Sequence, residues 1–192
     1  PYPIEFDKNR DMDALIRSPH LNKSRLQKVY DVYEATRVLS IDCRDLGFID
    51  DGRRFGKAHI GTHDLLIEQV VQMTDGGTLK KLFGMFWENL ENMSVETLER
   101  PVGLALVFWD EFGKHKSPAV ASIFYYCLKK DGWKMHTAPG EEVTMLSSVL
   151  WYKGSCGKDS CDGCDAPIGN RENKYLNEAY ESWETSRDSA LR

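Results

Sequence analysis

From Val102 to Trp109 the chain runs VGLALVFW, eight residues without a polar side chain. That length suits a strand buried on both faces, as in a parallel sheet covered by helices, and falls far short of the ~20 apolar residues of a membrane-spanning helix. The residues DEFGKHKSP follow. Ser117 fits a helix N-cap and Pro118 the first helical position, where a missing N–H costs nothing. Ala119, Val120, Ile123, Phe124, Cys127 and Leu128 then make one inward face. Lys129 and Lys130 suit the negative end of that helix before Gly132. A further expected strand, WKMHTA over 133–138, completes a β-α-β order. The expected fold is therefore α/β, in three layers, with a mainly parallel central sheet and helices on both faces.

Other elements can be read by period. Leu26, Val29, Tyr30 and Tyr33 give an amphipathic helix over 24–36, and RVLSIDC over 37–43 reads as a short strand. Leu65, Leu66, Val70 and Met73 give a helix over 62–74. Leu79, Leu82, Phe83, Phe86 and Leu90 form the stripe of a second one. VTMLSSVLWY is ambiguous between strand and helix, and Tyr175, Leu176, Ala179, Tyr180 and Trp183 mark a last amphipathic helix. At 192 residues this makes one α/β body over 1–152, followed by a cysteine-rich clip and C-terminal helix over 153–192. The first residue is Pro, so the chain reads as a processed product or an excerpt in which no targeting segment is legible.

The chemistry is concentrated at 110–117. In open α/β sheets ligands bind beyond the carboxyl ends of the strands, where a helix N-terminus offers amides and a positive dipole end. Gly113 allows close backbone approach, and Lys114, His115, Lys116 and Ser117 supply charge and donors for an anion such as phosphate. The same features also describe a solvated loop with an ordinary cap. Asp42 and Arg44, at the end of the 37–43 strand, either line that pocket or form an ion pair that ends the strand. The formal net charge is −5, and Asp110 and Glu111 add acidity at the loop entrance. RNA is therefore a disfavoured partner, since phosphate attraction supplies most of its affinity; a small anionic ligand is favoured.

This loop resembles two known families. Against the Cys-x2-Gly-x2-Arg-Ser loop of rhodaneses and cysteine phosphatases, Gly113, Lys116 and Ser117 match Gly, Arg and Ser, but Asp110 stands where the nucleophilic Cys belongs. A carboxylate there repels an anionic substrate and forms no persulfide, which argues against that chemistry. Lys for Arg also loses bidentate recognition. The closer resemblance is to the RapZ C-terminal domain family, whose loop reads Gly-Cys-Thr-Gly-Gly-x-His-Arg-Ser. Gly113, His115 and Ser117 fit it, and Lys116 stands for its Arg. Asp42, Cys43 and Arg44 match its Asp-x-Arg after an early strand. The resemblance covers 37–138. It implies a non-catalytic sensor or adaptor domain that binds a phosphorylated amino sugar, with His115, Lys116 and Ser117 on the ligand and Asp42 and Arg44 beside it. The alternatives are a phosphatase- or rhodanese-like enzyme with Asp110 in the nucleophile position, or a structural subunit of a larger assembly.

Five cysteines divide into two groups. Cys43 and Cys127 lie in apolar runs and read as core thiols. Cys156, Cys161 and Cys164, in the spacing C-x4-C-x2-C, offer three corners of a tetrahedral structural zinc site, with a His or an Asp such as Asp159 or Asp165 as the fourth. A local disulfide or three thiols are the other readings. The ferredoxin pattern needs another Cys beyond Cys164, and none follows. Such a cluster favours a reducing, intracellular compartment. His59 and His63 either share a metal or serve as loop and cap residues, and His136 falls at an expected strand end.

Overall fold

The computed structural model describes residues 37–44, 46, 59, 61–73, 77–94, 104–110, 115–133, 164 and 173–190. The expected helix at 24–36 and the ambiguous run at 143–152 lie outside them, as does the expected strand at 133–138 apart from Trp133, which is not in a strand. The described elements are β1 (Arg37–Asp42), α1 (Asp64–Met73), α2 (Gly77–Ser94), β2 (Leu104–Trp109), α3 (Lys116–Lys130) and α4 (Lys174–Ala190). They define a mixed α/β protein: four helices and a two-stranded parallel sheet. The strands run in register, Arg37 beside Leu104 and Asp42 beside Trp109, so both carboxyl ends finish at one edge. None of the described helices is long and apolar enough to cross a membrane.

The helices form where apolar residues recur at helical spacing, and their buried faces meet in one core. All six residues expected on the inward face of α3 are buried, as are Leu79, Leu82, Phe83 and Phe86 of α2. On α1 the face is rotated from the expected one. Leu65 is exposed, and Ile67 joins Leu66 and Val70 inside, because the face is set by α3 and α4, on which α1 packs. The β2 side chains Leu106, Phe108 and Trp109 are half-buried, not enclosed on both faces as the apolar run predicts. The described cover of this sheet is α3 against β2 and α2 against β1.

At the centre lies an aromatic cluster. The Trp183 ring of α4 sits 4.8 Å from that of Trp87, 5.1 Å from those of Phe83 and Phe86, and 5.5 Å from that of Phe124. Edge-to-face contacts with Phe83 and Phe124 suit the ring quadrupoles. α3 ends in a Schellman motif: Gly132, at φ +80°, donates to the Lys129 carbonyl and Trp133 to that of Leu128. The residue before that glycine, Asp131, ties α4 down. Its carboxylate accepts from Tyr180 Oη and Trp183 Nε1, both at 2.7 Å, and from Arg187 Nη1 at 3.2 Å.

Burial, and then the Asp131 carboxylate, push the Tyr180 hydroxyl up to about 12. Burial also pushes the Cys43 and Cys127 thiols well above their usual range. Acids whose folded pKa is raised contribute fully below their unfolded pKa and lose that contribution as pH climbs through the folded value. Stability should therefore fall above about pH 9, where unfolded thiols begin to ionise, and keep falling as unfolded tyrosine ionises near pH 10. Urea titrations from pH 7 to 12 test this. Tyr180→Phe should lower stability by about 1 kcal/mol at neutral pH and make the decline from about pH 10 to 12 shallower; an unchanged slope would contradict the Tyr180 assignment.

Candidate functional site

β1 and β2 deliver Asp42, Arg44, Trp109 and Asp110 to the same sheet edge at which α3 begins. Asp42 ends β1 by a local turn, its Oδ1 accepting the Arg44 N–H at 3.0 Å. The same carboxylate receives the Arg44 guanidinium on both oxygens, with Nη2 at 2.6 Å from Oδ2. That guanidinium lies 4.4 Å over the Trp109 ring. A planar cation is thus held between a carboxylate and an aromatic face, a geometry to which Arg is suited. Cys43 continues the ladder by donating its N–H to the Trp109 carbonyl at 2.9 Å. Its thiol is fully buried and kept protonated, first by desolvation and then by Asp110 and Asp42. A thiol so buried and protonated is a poor nucleophile.

The start of α3 differs from the expected cap. The helix begins at Lys116 with His115 in the N-cap position, whose side chain makes no cap hydrogen bond. Ser117 lies in the first turn, and its N–H donates to Asp110 Oδ2 at 2.6 Å. Asp110 is buried, at 6% exposure, so a carboxylate from seven residues upstream stabilises the helix start. A full negative charge satisfies a first-turn amide and the dipole together, which a Ser hydroxyl does less well. Lys116 reaches across and donates from Nζ to the Arg44 carbonyl at 3.0 Å, joining α3 to the end of β1. The edge therefore carries two carboxylates, Asp42 and Asp110, and two cations, Arg44 and Lys116.

The loop preceding α1 packs on this helix start. A Cβ at Gly61 would lie 2.2 Å from the His115 carbonyl oxygen and 2.5 Å from the Ala119 nitrogen, so the close approach of two backbones requires glycine here. His63 immediately precedes α1, its Nδ1 accepting the Leu65 N–H at 3.2 Å. The His59 ring lies 4.0 Å from that of His63, centroid to centroid. Its Nδ1 is 3.5 Å from the Sγ of Cys164. Thr62 Oγ1 donates to the Cys164 carbonyl at 3.1 Å.

Of the residues singled out from sequence, Asp42, Arg44, Lys116 and Ser117 gather at the carboxyl edge, His115 stands at the N-cap position of α3, and Cys164 meets His59. Gly113, Lys114, His136, Cys156 and Cys161 lie outside the described residues. No group of three or more His, Cys, Asp or Glu side chains among the described residues is placed to hold a metal ion. Sequence reasoning missed Trp109 as the platform for Arg44, and Gly61 and Thr62 as the contacts of the α1 loop. The sequence placed Asp110 at the loop entrance, in the nucleophile position only of the alternative enzyme reading, and did not anticipate its bond to the Ser117 N–H at the helix start. The position of Asp110, directly after an apolar strand and before a helix start, was the available signal. Comparison of the chain with protein-family models, curated proteins and solved structures returned no match.

Proposed function

We infer that this protein is a non-catalytic ligand-binding or adaptor domain that takes a phosphorylated small molecule or other anion at the 110–117 loop. One observation carries the reading: Arg44, Lys116 and the amide end of α3 are drawn together beyond the carboxyl ends of two parallel strands. In this reading β1 and β2 belong to a three-layer α/β body of the kind the RapZ C-terminal resemblance implies, with Gly113, Lys114 and His115 completing the loop. Cys156, Cys161 and Cys164 hold a structural zinc that ties the C-terminal helix to the body.

Asp110 gives this reading a specific chemistry. Its carboxylate sits on the amide that an anion would use, so a phosphate binds in competition with an internal anion. Enzyme chemistry at Asp110 is the lesser reading, because the carboxylate is buried and engaged as a cap.

Millimolar phosphate, sulfate or a hexosamine phosphate should raise the melting temperature, as any ligand selective for the folded state does. Lys116→Ala should remove the shift, and Asp110→Asn should enlarge it, since the amide oxygen still accepts from Ser117 while the repelling charge is gone. The absence of any shift in the wild type would sink the proposal. Turnover of a generic phosphoester, abolished in Asp110→Asn, would install the enzyme reading in its place.

A further inference from the structure

We propose that anion binding at the start of α3 is coupled to uptake of one proton by Asp110, so that the edge takes a tetrahedral oxyanion and a proton together. The inference rests on the anion reading above and gives that site a pH dependence. The Asp110 carboxylate already occupies the position an anion needs: its Oδ2 accepts the Ser117 N–H at 2.6 Å, and the residue is 6% exposed. An oxyanion that takes this amide therefore meets a buried carboxylate at contact distance. Like charges so placed repel strongly, and burial adds to the cost of keeping both. A proton from solvent removes the conflict: the carboxylate becomes a carboxylic acid, whose O–H can donate to the bound anion.

The neighbouring groups leave Asp110 as the acceptor of that proton. On β1, Asp42 holds the Arg44 guanidinium on both oxygens and is 38% exposed, so a cation and water already balance its charge. The Cys43 thiol is kept protonated by burial. On α3, Lys116 donates from its ammonium to the Arg44 carbonyl, and His115 stands at the N-cap, where an imidazolium faces the positive end of the helix dipole. The loop before α1, whose Gly61 abuts the same helix start, carries His59 and His63. His59 faces Cys164, and the His63 Nδ1 accepts the Leu65 N–H. The edge thus sets two carboxylates, Asp42 and Asp110, against two cations, Arg44 and Lys116. A bound dianion brings an excess of negative charge, which a proton on Asp110 reduces.

The test titrates the full chain with sulfate, which stays a dianion at neutral and mildly acid pH, at constant ionic strength, and follows the Ser117 amide resonance by NMR. One linked proton changes affinity by at most about tenfold for each step of pH. Wild-type sulfate affinity should rise at least about fivefold from about pH 7.5 to 5.5. Asp110→Asn keeps an acceptor for Ser117 but takes no proton, and its affinity should change by less than about twofold over the same range. At saturation the Asp110 carboxyl carbon of the wild type should move to the protonated position, a readout that needs no variant to fold. Saturable wild-type binding without pH dependence overturns the coupling and leaves the anion site standing. A pH dependence that persists in Asp110→Asn also overturns it, and its loss in His115→Gln then places the proton on that imidazole. No effect of sulfate on Ser117 in the wild type at any pH overturns the anion reading itself, and the coupling with it.

Discussion

Trp183→Ala should destabilise the protein by about 3–5 kcal/mol, the range for truncating a fully buried aromatic. Trp183 is fully buried, and its indole meets rings from α2 and α3 at once, Phe83, Phe86 and Trp87 on one and Phe124 on the other. Removing it leaves a cavity that four other large side chains border, and rings fixed by their own packing collapse into such a space only in part. At roughly 2–4 °C per kcal/mol for a chain of this size, the melting temperature should fall by at least about 6 °C. A loss below about 1 kcal/mol, the range of an ordinary surface change, would mean that α4 is not docked on α2 and α3 in solution.

Asp131→Ala should cost about 3 kcal/mol, through polar groups where Trp183→Ala acts through volume. The Asp131 side chain is 8% exposed and receives Tyr180 Oη, Trp183 Nε1 and Arg187 Nη1. Deleting the shared acceptor leaves the buried Trp183 N–H without its partner and a partly buried guanidinium without its counter-charge, a class of change that costs several kcal/mol. Arg187 is 29% exposed and can turn to water, which keeps the expected figure at the lower end. Asp131→Asn retains an acceptor and should lose about half as much. Equal losses in the two variants, measured by urea denaturation, would show that the charge, and not the hydrogen bonds, secures α4. The two sites share Trp183, so the double variant should lose less than the sum of the singles.

The helices were legible because each is a local pattern. The α3 face, the α2 stripe and the Leu176, Ala179 and Trp183 face of α4 are all where their spacing puts them. Cys43 and Cys127 are buried as their apolar neighbours imply. The candidate edge was half legible: Asp42, Arg44 and Lys116 do meet, as the order of strand, loop and helix requires. Their bonding was not, since a net charge and a loop composition say nothing of which carboxylate finds which amide. Ser117 lies inside the first turn for that reason: a buried carboxylate seven residues upstream accepts the N–H of Ser117 itself.

The amino-acid order alone determined the apolar faces of α2, α3 and α4, the Gly132 stop of α3, and the pair of strands, because these depend on neighbours within a few residues. Tertiary structure decided what joins those pieces. It stacked Arg44 on Trp109, turned Leu65 outward, placed Asp131 under three donors from 49 to 56 residues away, and set His59 against Cys164. Contacts between distant segments follow from how helices and strands pack, and no periodicity along the chain encodes which side chains that packing brings within hydrogen-bond reach.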